Sequence, residues 1–142
     1  MKKMNKKGFT LIELLAVIVI LAIIMVIAVP QILSVINGSK KSAWTDNIKL
    51  IEKGIELHDS TLDVTPNAGT KVSTSAGCNK DNIETAADID SSSTSLPATG
   101  TGSPSMTSNG CQFTVSPVSG GQFDISDNTA VTITCGSTGC SH

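Results

Sequence analysis

The sequence contains no arginine, and none of its lysines comes after Lys80. Proteins that bind nucleic acids neutralise phosphates with clustered cationic side chains. The long segment from Asp81 to His142 has no lysine or arginine from which such a cluster could form. No nucleic-acid partner is therefore expected.

Aromatic residues are also scarce, at 3% of the 142 residues, although 39% of the chain is hydrophobic. The strongest apolar residues are concentrated near the N-terminus, and the remainder is polar and acidic. After Gly8 the chain carries 6 lysines against 12 Asp and Glu residues, a net charge of −6. This distribution predicts one small acidic domain attached to a separate apolar segment.

The residue patterns of enzymes and metal sites are missing as well. The cysteines include no Cys-x₂-Cys pair, and His58 and His142 are far apart, so the ligand spacing of structural zinc sites is absent. No Ser/His/Asp grouping and no glycine-rich phosphate loop followed by a basic residue is found, and Asp124 and Asp127 are too few carboxylates for a calcium site. His142, at the chain end, is expected to be disordered. We therefore expect no catalytic residues, no metal and no cofactor.

The four cysteines all lie in the C-terminal half, at Cys78, Cys111, Cys135 and Cys140. An even number of cysteines in a small domain with few large apolar residues predicts two disulfides, which persist in an oxidising compartment. Four cysteines allow three pairings. We favour Cys78–Cys111 and Cys135–Cys140, because each pair joins neighbours in the sequence.

A basic N-terminus precedes the longest apolar run of the chain. Leu11 to Val29 is apolar except for Glu13, and about 20 such residues span the hydrocarbon core of a membrane as a helix. Positive charge on the leading side keeps that end cytoplasmic, so everything after Pro30 is expected to face outward. The cationic residues concerned are Lys2, Lys3, Lys6 and Lys7. This orientation agrees with the oxidising compartment inferred from the cysteines.

Two ordinary membrane segments are alternatives at this point. A secretory signal peptide has an apolar region of about 7–15 residues followed by a small-residue cleavage site. The present run is longer, and residues 25–30 contain no clean site of that kind. A plain single-pass anchor accounts for the hydrophobicity but gives Glu13 no role.

Beyond Pro30 the pattern becomes amphipathic. Apolar residues recur at spacings of four, three and four, while charged residues fall on the other faces, which is typical of a helix with one buried stripe. The stripe consists of Trp44, Ile48, Ile51 and Ile55. The sequence predicts one long helix from about Phe9 to about Ser60, with Pro30 and Gly38 as points where it could break.

The remainder of the chain predicts a loop followed by a small sheet. Residues 63–110 are rich in Ser, Thr and Gly and are expected to form a connecting loop. Residues 111–115, 122–125 and 130–135 resemble β-strands separated by turn residues, so an antiparallel meander is predicted. Its apolar face would pack on the helix stripe, giving an α+β fold with disulfide-stapled loops. That face consists of Phe113, Val115, Phe123, Ile125, Val131 and Ile133.

The hexapeptide from Gly8 to Glu13, Gly-Phe-Thr-Leu-Ile-Glu, follows the basic leader directly. This arrangement resembles the class III signal peptide of the type IV pilin and pseudopilin superfamily, and the resemblance is close over about the first 30 residues. It implies that a prepilin peptidase cleaves between Gly8 and Phe9 and methylates the new N-terminus at Phe9. Removal of the first eight of 142 residues would leave 134, with Glu13 in fifth position.

The resemblance divides the chain into a leader (residues 1–8), a transmembrane and assembly helix (9–30), its amphipathic continuation (31–62), the loop (63–110), and the sheet with the C-terminal disulfide region (111–142). The family often has a disulfide near the C-terminus that bounds a variable region. Cys111–Cys140 and Cys111–Cys135 therefore stay open as alternative pairings.

A carboxylate such as Glu13 costs about 2.5–3.5 kcal/mol at the centre of a membrane and seeks a partner. The amine of Phe9, from the same chain or from a neighbouring helix shifted along its axis, could supply it. In a filament core this pairing would set the register between subunits, because either charge left alone is strongly unfavourable.

The function implied is that of a structural subunit of a type IV pilus, used in adhesion, twitching motility or surface contact. The alternatives are a pseudopilin of a type II secretion or competence DNA-uptake system, and a membrane-anchored ectodomain of another kind. Implied partners are further copies of the chain in a homopolymer, the prepilin peptidase, the assembly platform with its ATPase, and the membrane. The chain would be a single-pass cytoplasmic membrane protein before assembly and part of an extracellular fimbrium afterwards.

Overall fold

The computed structural model describes residues 8–142, which divide into two compact units, one ending at Gly38 and the other running from Ser39 to His142. The first seven residues, with the four lysines of the expected leader, lie outside the described residues. We refer to the second unit as the head.

Helix α1 runs from Leu11 to Val64 and contributes to both units. It begins two residues later and ends four residues later than the sequence predicts. The helix continues through Pro30 and Gly38 without an interruption, although proline lacks the N–H that a helix interior requires. The unit boundary falls directly after Gly38.

Within the head, α1 buries the predicted stripe. Trp44, Ile48, Ile51 and Ile55 are all at most 4% exposed, which confirms that the stripe is core. The Trp44 ring packs against Phe123 with the ring centroids 5.4 Å apart and the planes tilted by 51°. Tilted aromatic pairs of this kind are favourable beyond the area that they bury.

The head also contains a five-stranded antiparallel sheet. Strand β3 is the longest, and it pairs with β1 and β2 along different parts of its length and with β4, which in turn pairs with β5. The strands are β1 (Thr94–Ser95), β2 (Ser105–Thr107), β3 (Gly110–Pro117), β4 (Val131–Gly136) and β5 (Gly139–Ser141).

Alternate residues of β3 and β4 face α1. The buried hydrophobic residues of these strands are Cys111, Phe113, Val115, Ile133 and Cys135, each at most 1% exposed. Together with the helix stripe they form one hydrophobic cluster, because successive side chains of a strand point to opposite faces. The α+β fold predicted from the sequence is confirmed.

The predicted middle strand is wrong. Residues 122–125 form turns and bends instead. The carboxylate of Asp124 accepts a hydrogen bond from the N–H of Gly120, and the side-chain amide of Asn128 donates to the carbonyl of Phe123. These local bonds satisfy the backbone without a strand partner, and Phe123 still reaches the core at 6% exposure.

The predicted loop at residues 63–110 contains three elements that composition alone did not reveal. Strands β1 and β2 lie in it, as does helix α2 (Lys80–Ala87). Asn79 caps α2 by accepting a hydrogen bond from the N–H of Asn82 at 3.0 Å, which satisfies an otherwise unpaired backbone donor. Ile83 then projects into the core and is fully buried. Strand β5, beyond the predicted meander, is also new.

Both disulfides lie in the head, and the pairing is the one favoured from the sequence. Cys78 is bonded to Cys111 and Cys135 to Cys140. The first bond joins the segment before α2 to β3, and the second spans the β4–β5 hairpin, whose Cys135 and Cys140 lie directly opposite each other. Two disulfides thus cross-link different parts of the head.

Asp59 fastens the segment after α1 to the helix. Its carboxylate accepts the backbone N–H of Val72 at 2.7 Å and that of Ser73 at 2.9 Å. Partial burial alone would raise the pKa of Asp59, but the hydrogen bonds from Ser73, Val72 and His58 outweigh it and hold the pKa below its ordinary value of 3.8. The ionised carboxylate therefore stabilises this part of the head.

We expect the two disulfides to contribute unequally to stability. Replacing Cys78 and Cys111 with Ser should lower the free energy of unfolding by about 3–4 kcal/mol, against about 2 kcal/mol for replacing Cys135 and Cys140, because the first bond closes a much longer loop. Urea unfolding of the full chain in detergent, followed by the fluorescence of the single, buried Trp44, measures both. Equal losses would contradict the loop-length explanation.

Asp59→Asn should destabilise the head at neutral pH by about 1–3 kcal/mol, because a neutral amide satisfies the Val72 and Ser73 donors less well. The pKa of Asp59 is lower in the folded chain than the value of 3.8 expected in the unfolded chain. The ionised carboxylate therefore stabilises the head above pH 3.8, and this stabilisation is lost as the pH falls through the pKa of the folded state. The parent should therefore lose more stability on acidification below 3.8 than the variant does. The same unfolding assay measures this, with the exposed Asp127→Asn as the control. Parallel pH profiles for parent and Asp59→Asn would count against this role.

Candidate processing and assembly site

The candidate site lies where the extended chain enters α1. Gly8, Phe9 and Thr10 precede the helix, which begins at Leu11. The Thr10 carbonyl accepts the N–H groups of Glu13 at 3.1 Å and Leu14 at 3.3 Å. Thr10 is therefore the residue from which the first turn starts.

The side chain of Glu13 accepts hydrogen bonds from Thr10. Its Oε2 atom accepts the backbone N–H of Thr10 at 2.9 Å and the Thr10 hydroxyl at 2.8 Å. A Glu three residues after a Thr that begins a helix is the signature of a capping box, in which the carboxylate satisfies an exposed backbone donor. The Thr-x-x-Glu spacing was visible in the sequence, but sequence reasoning treated Glu13 only as a charge and missed Thr10.

The surroundings of this carboxylate are apolar and open. Phe9, Leu11 and Ile12 are 88%, 86% and 72% exposed. Phe9, Leu14, Ala16 and Val17 line a shallow concavity together with Glu13. One acidic group thus lies on an apolar surface that nothing within residues 8–142 covers.

Gly8 is not required by the local structure. A methyl group added at its Cα would meet no atom within 4 Å, and its backbone is not in the left-handed region that favours glycine. Gly38 is equally unconstrained by neighbouring atoms. The structure of the described residues therefore does not require a glycine at position 8.

Helix α1 contains a segment long and apolar enough to cross a membrane, and none of that segment is buried. The length and composition, with the N-terminal motif, fit anchoring by a single helix. The disulfides lie in the head, the other unit, so the structure does not gather all predicted site residues in one place.

The two histidines occupy defined positions in the head. His58 Nδ1 lies 3.4 Å from Asp59 Oδ1, and His142 Nδ1 lies 2.9 Å from Glu52 Oε1. The expected disorder of His142 is therefore wrong, since the buried Glu52 holds it. No group of three or more His, Cys, Asp or Glu side chains suited to a metal occurs between Gly8 and His142.

A long N-terminal helix, apolar in its first half and packed in its second half on a small antiparallel sheet with two disulfides, matches the pilin fold. Residues 3–29 match the family model described as the prokaryotic N-terminal methylation motif, which is the class III signal peptide of type IV pilins and pseudopilins. The motif marks the chain as a prepilin-like substrate rather than an enzyme. No curated protein and no solved structure matches the chain.

Replacing Gly8 tests whether the residue is needed by a peptidase. Gly8→Leu should leave the head intact, because Gly8 lies outside the head and a Cβ atom added there meets no atom within 4 Å. It should abolish cleavage. Immunoblotting of membranes should show only the longer precursor. Gly38→Leu, also free of contacts, is the matched control and should be cleaved normally. Normal cleavage of Gly8→Leu would refute the requirement.

Proposed function

We propose that this chain is a type IV pilin: a structural subunit cleaved between Gly8 and Phe9, methylated on Phe9 and polymerised into a helical surface filament. The observation that carries the proposal is the single carboxylate of Glu13 in an otherwise apolar and uncovered segment of α1, residues 11–27. This segment lies within the match to the methylation motif at residues 3–29.

The uncovered apolar surface needs a partner. Every residue from Leu11 to Ile27 is exposed, whereas soluble monomers rarely expose large contiguous apolar patches. A helix that is apolar on all sides is stable in lipid or among other helices. The membrane would cover this segment before assembly, and the same segments of other copies would cover it afterwards.

Glu13 makes packing among copies selective. Both hydrogen bonds from Thr10 end on Oε2 and come from neutral donors, so they leave the negative charge uncompensated and Oε1 available to a cation. Cleavage after Gly8 would create an ammonium group on Phe9. A neighbouring copy shifted along the axis would bring its own ammonium to this carboxylate, and other shifts would leave both charges buried and unpaired.

The proposal names the prepilin peptidase, the pilus assembly platform with its ATPase, and further copies of the chain as partners. The chain would wait in the cytoplasmic membrane as a single-pass protein and then move into the extracellular filament.

A pseudopilin of a secretion or DNA-uptake system carries the same motif, and the head favours a pilin. The region between Ser39 and His142 includes an extended connection with α2, β1 and β2, fastened by Cys78–Cys111. Competence pseudopilins usually have smaller heads. The location of the polymer distinguishes a pilin from a pseudopilin, because a pilin forms long filaments on the cell surface.

Glu13→Gln tests the mechanism more cleanly than Glu13→Ala. Glutamine retains an oxygen that can accept the Thr10 N–H and removes only the charge. We expect normal membrane insertion and cleavage, with the yield of sheared surface filaments lowered at least about tenfold, because the cross-subunit ion pair is lost. Intact-mass spectrometry of parent filaments should show the 134-residue chain with one methyl group and two disulfides.

Thr10→Val is the matched control, because it removes the hydroxyl contact to Glu13 and keeps the carboxylate. It should assemble far better than Glu13→Gln. Normal filament yield from Glu13→Gln would remove the ion-pair mechanism. Parent protein found at the cell surface as an uncleaved monomer would refute the proposed function itself.

A further inference from the structure

Two adjacent lysines at the start of the head have no acidic partner. The head contains six lysines, and four of them form ion pairs with carboxylates of the head. These four pairs are Lys49–Asp46, Lys53–Glu56, Lys71–Asp63 and Lys80–Glu84. The other two lysines, Lys40 and Lys41, form no ion pair with any residue between Gly8 and His142. We call these two residues the lysine pair.

Helix α1 itself offers the lysine pair no carboxylate. Side chains three or four positions apart are neighbours on a helix, and the residues at those distances before and after the two lysines are all uncharged. The nearest acidic residue in the sequence, Asp46, already pairs with Lys49. Lys41 is exposed and Lys40 is partly exposed, so both ammonium groups are accessible to a partner outside the chain.

The position of the lysine pair along α1 matches the thickness of a membrane. Because α1 begins at Leu11, Lys40 and Lys41 are its thirtieth and thirty-first residues. A bilayer with its headgroups is about 40–45 Å thick, a distance that a helix crosses in about 27–30 residues. Apolar side chains recur up to Ile36, one turn before Lys40. When the apolar segment spans a membrane, the lysine pair therefore follows at the level of the outward-facing headgroups.

The rest of the head would be repelled by an anionic membrane surface. Residues 39–142 carry six lysines against eleven Asp and Glu residues, a net charge of −5. Such a surface repels an acidic domain and attracts cationic side chains close to it. Since carboxylates already pair with the other four lysines of the head, the lysine pair is the part of residues 39–142 best suited to contact anionic lipid.

We propose that Lys40 and Lys41 bind the phosphate groups of anionic phospholipids in the outward-facing leaflet. Lysine side chains near the end of a membrane helix extend their ammonium groups into the headgroup region. The contact keeps the lysine end of the acidic head at the membrane surface until the subunit leaves for assembly. The inference rests on one part of the proposed function, the single-pass protein that waits in the membrane, and it does not require a filament.

Energy transfer from Trp44 to labelled lipids tests this contact. Trp44 is the single tryptophan and follows Lys41 by three residues, so it reports on lipids beside the lysine pair. The full-length chain is reconstituted in vesicles of equal parts phosphatidylglycerol and phosphatidylcholine, with a trace of either lipid carrying a dansyl group on an acyl chain. Transfer to phosphatidylglycerol should exceed transfer to phosphatidylcholine. The difference should shrink at high salt, which screens exposed charges.

Lys40→Gln/Lys41→Gln should lower the preference for phosphatidylglycerol over phosphatidylcholine at least about fivefold, the contribution of one lysine near an anionic surface. Lys49→Gln/Lys53→Gln is the matched control. It removes the same charge from exposed positions of α1, but from lysines that Asp46 and Glu56 already pair, and it should keep the preference of the parent. Both variants must first show two disulfides by intact mass.

Three results would overturn the lipid contact. The first is an unchanged preference in Lys40→Gln/Lys41→Gln, and the second is an equal loss in the control. The third is loss of the preference when inorganic phosphate is added at constant ionic strength, which would identify a site for free phosphate rather than for a headgroup. A lower filament yield from Lys40→Gln/Lys41→Gln with an unchanged lipid preference would assign the lysine pair to a contact with another protein copy instead.

The vesicle experiment distinguishes this inference from the proposed function. It requires no polymer, so a parent chain that forms no filaments in cells would overturn the proposed function and leave the lipid preference as measured. A parent chain that shows no preference for phosphatidylglycerol would overturn the lipid contact, while cleaved and methylated filaments from cells would still support the proposed function.

Discussion

An acidic group on an apolar helix surface constrains how this molecule can exist. Nothing within the described residues covers the segment that begins at Leu11, so lipid or other helices must cover it. Either environment has a low dielectric constant, in which the Glu13 charge is costly unless a cation meets it. Neutral donors from Thr10 satisfy one oxygen without supplying that cation. In the filament that we propose, the apolar segment would favour association and Glu13 would restrict how the copies associate.

The head uses the same helix for a different purpose. From Trp44 onwards, one side of α1 is core and the other carries charges and the exposed Leu50, Leu57 and Val64. The sheet and the disulfides fix the buried side, and the hydrogen bonds of Asp59 hold the chain that leaves the helix. One continuous helix thus supplies both the uncovered apolar segment and the buried stripe of the head.

The sequence correctly predicted the elements that have a strong hydrophobic periodicity. The helix, its stripe from Trp44 to Ile55, and strands β3 and β4 follow from spacings of 3.6 and two residues. It missed the short helix α2, which is capped by Asn79 and Asp88. It also misread residues 122–125, where a hydrogen bond accepted by Asp124 and one donated by Asn128 replace a strand ladder. The disulfide alternatives were hard to separate for a structural reason: Cys111 and Cys140 each lie directly opposite Cys135 on adjacent strands.

At the candidate site, the sequence pattern predicted roles for Gly8, Phe9 and Glu13, whereas the hydrogen bonds around Thr10 are seen only in the structure. That geometry affects which amine would form an ion pair with Glu13. Thr10 already ties Oε2 to the start of its own helix, which orients the carboxylate and leaves Oε1 for an incoming group. An ammonium from the same chain would neutralise the charge but would carry no information about neighbours. An ammonium from another chain would neutralise it only at one axial offset. In the proposed filament, this difference would make the need to neutralise Glu13 determine the register between subunits.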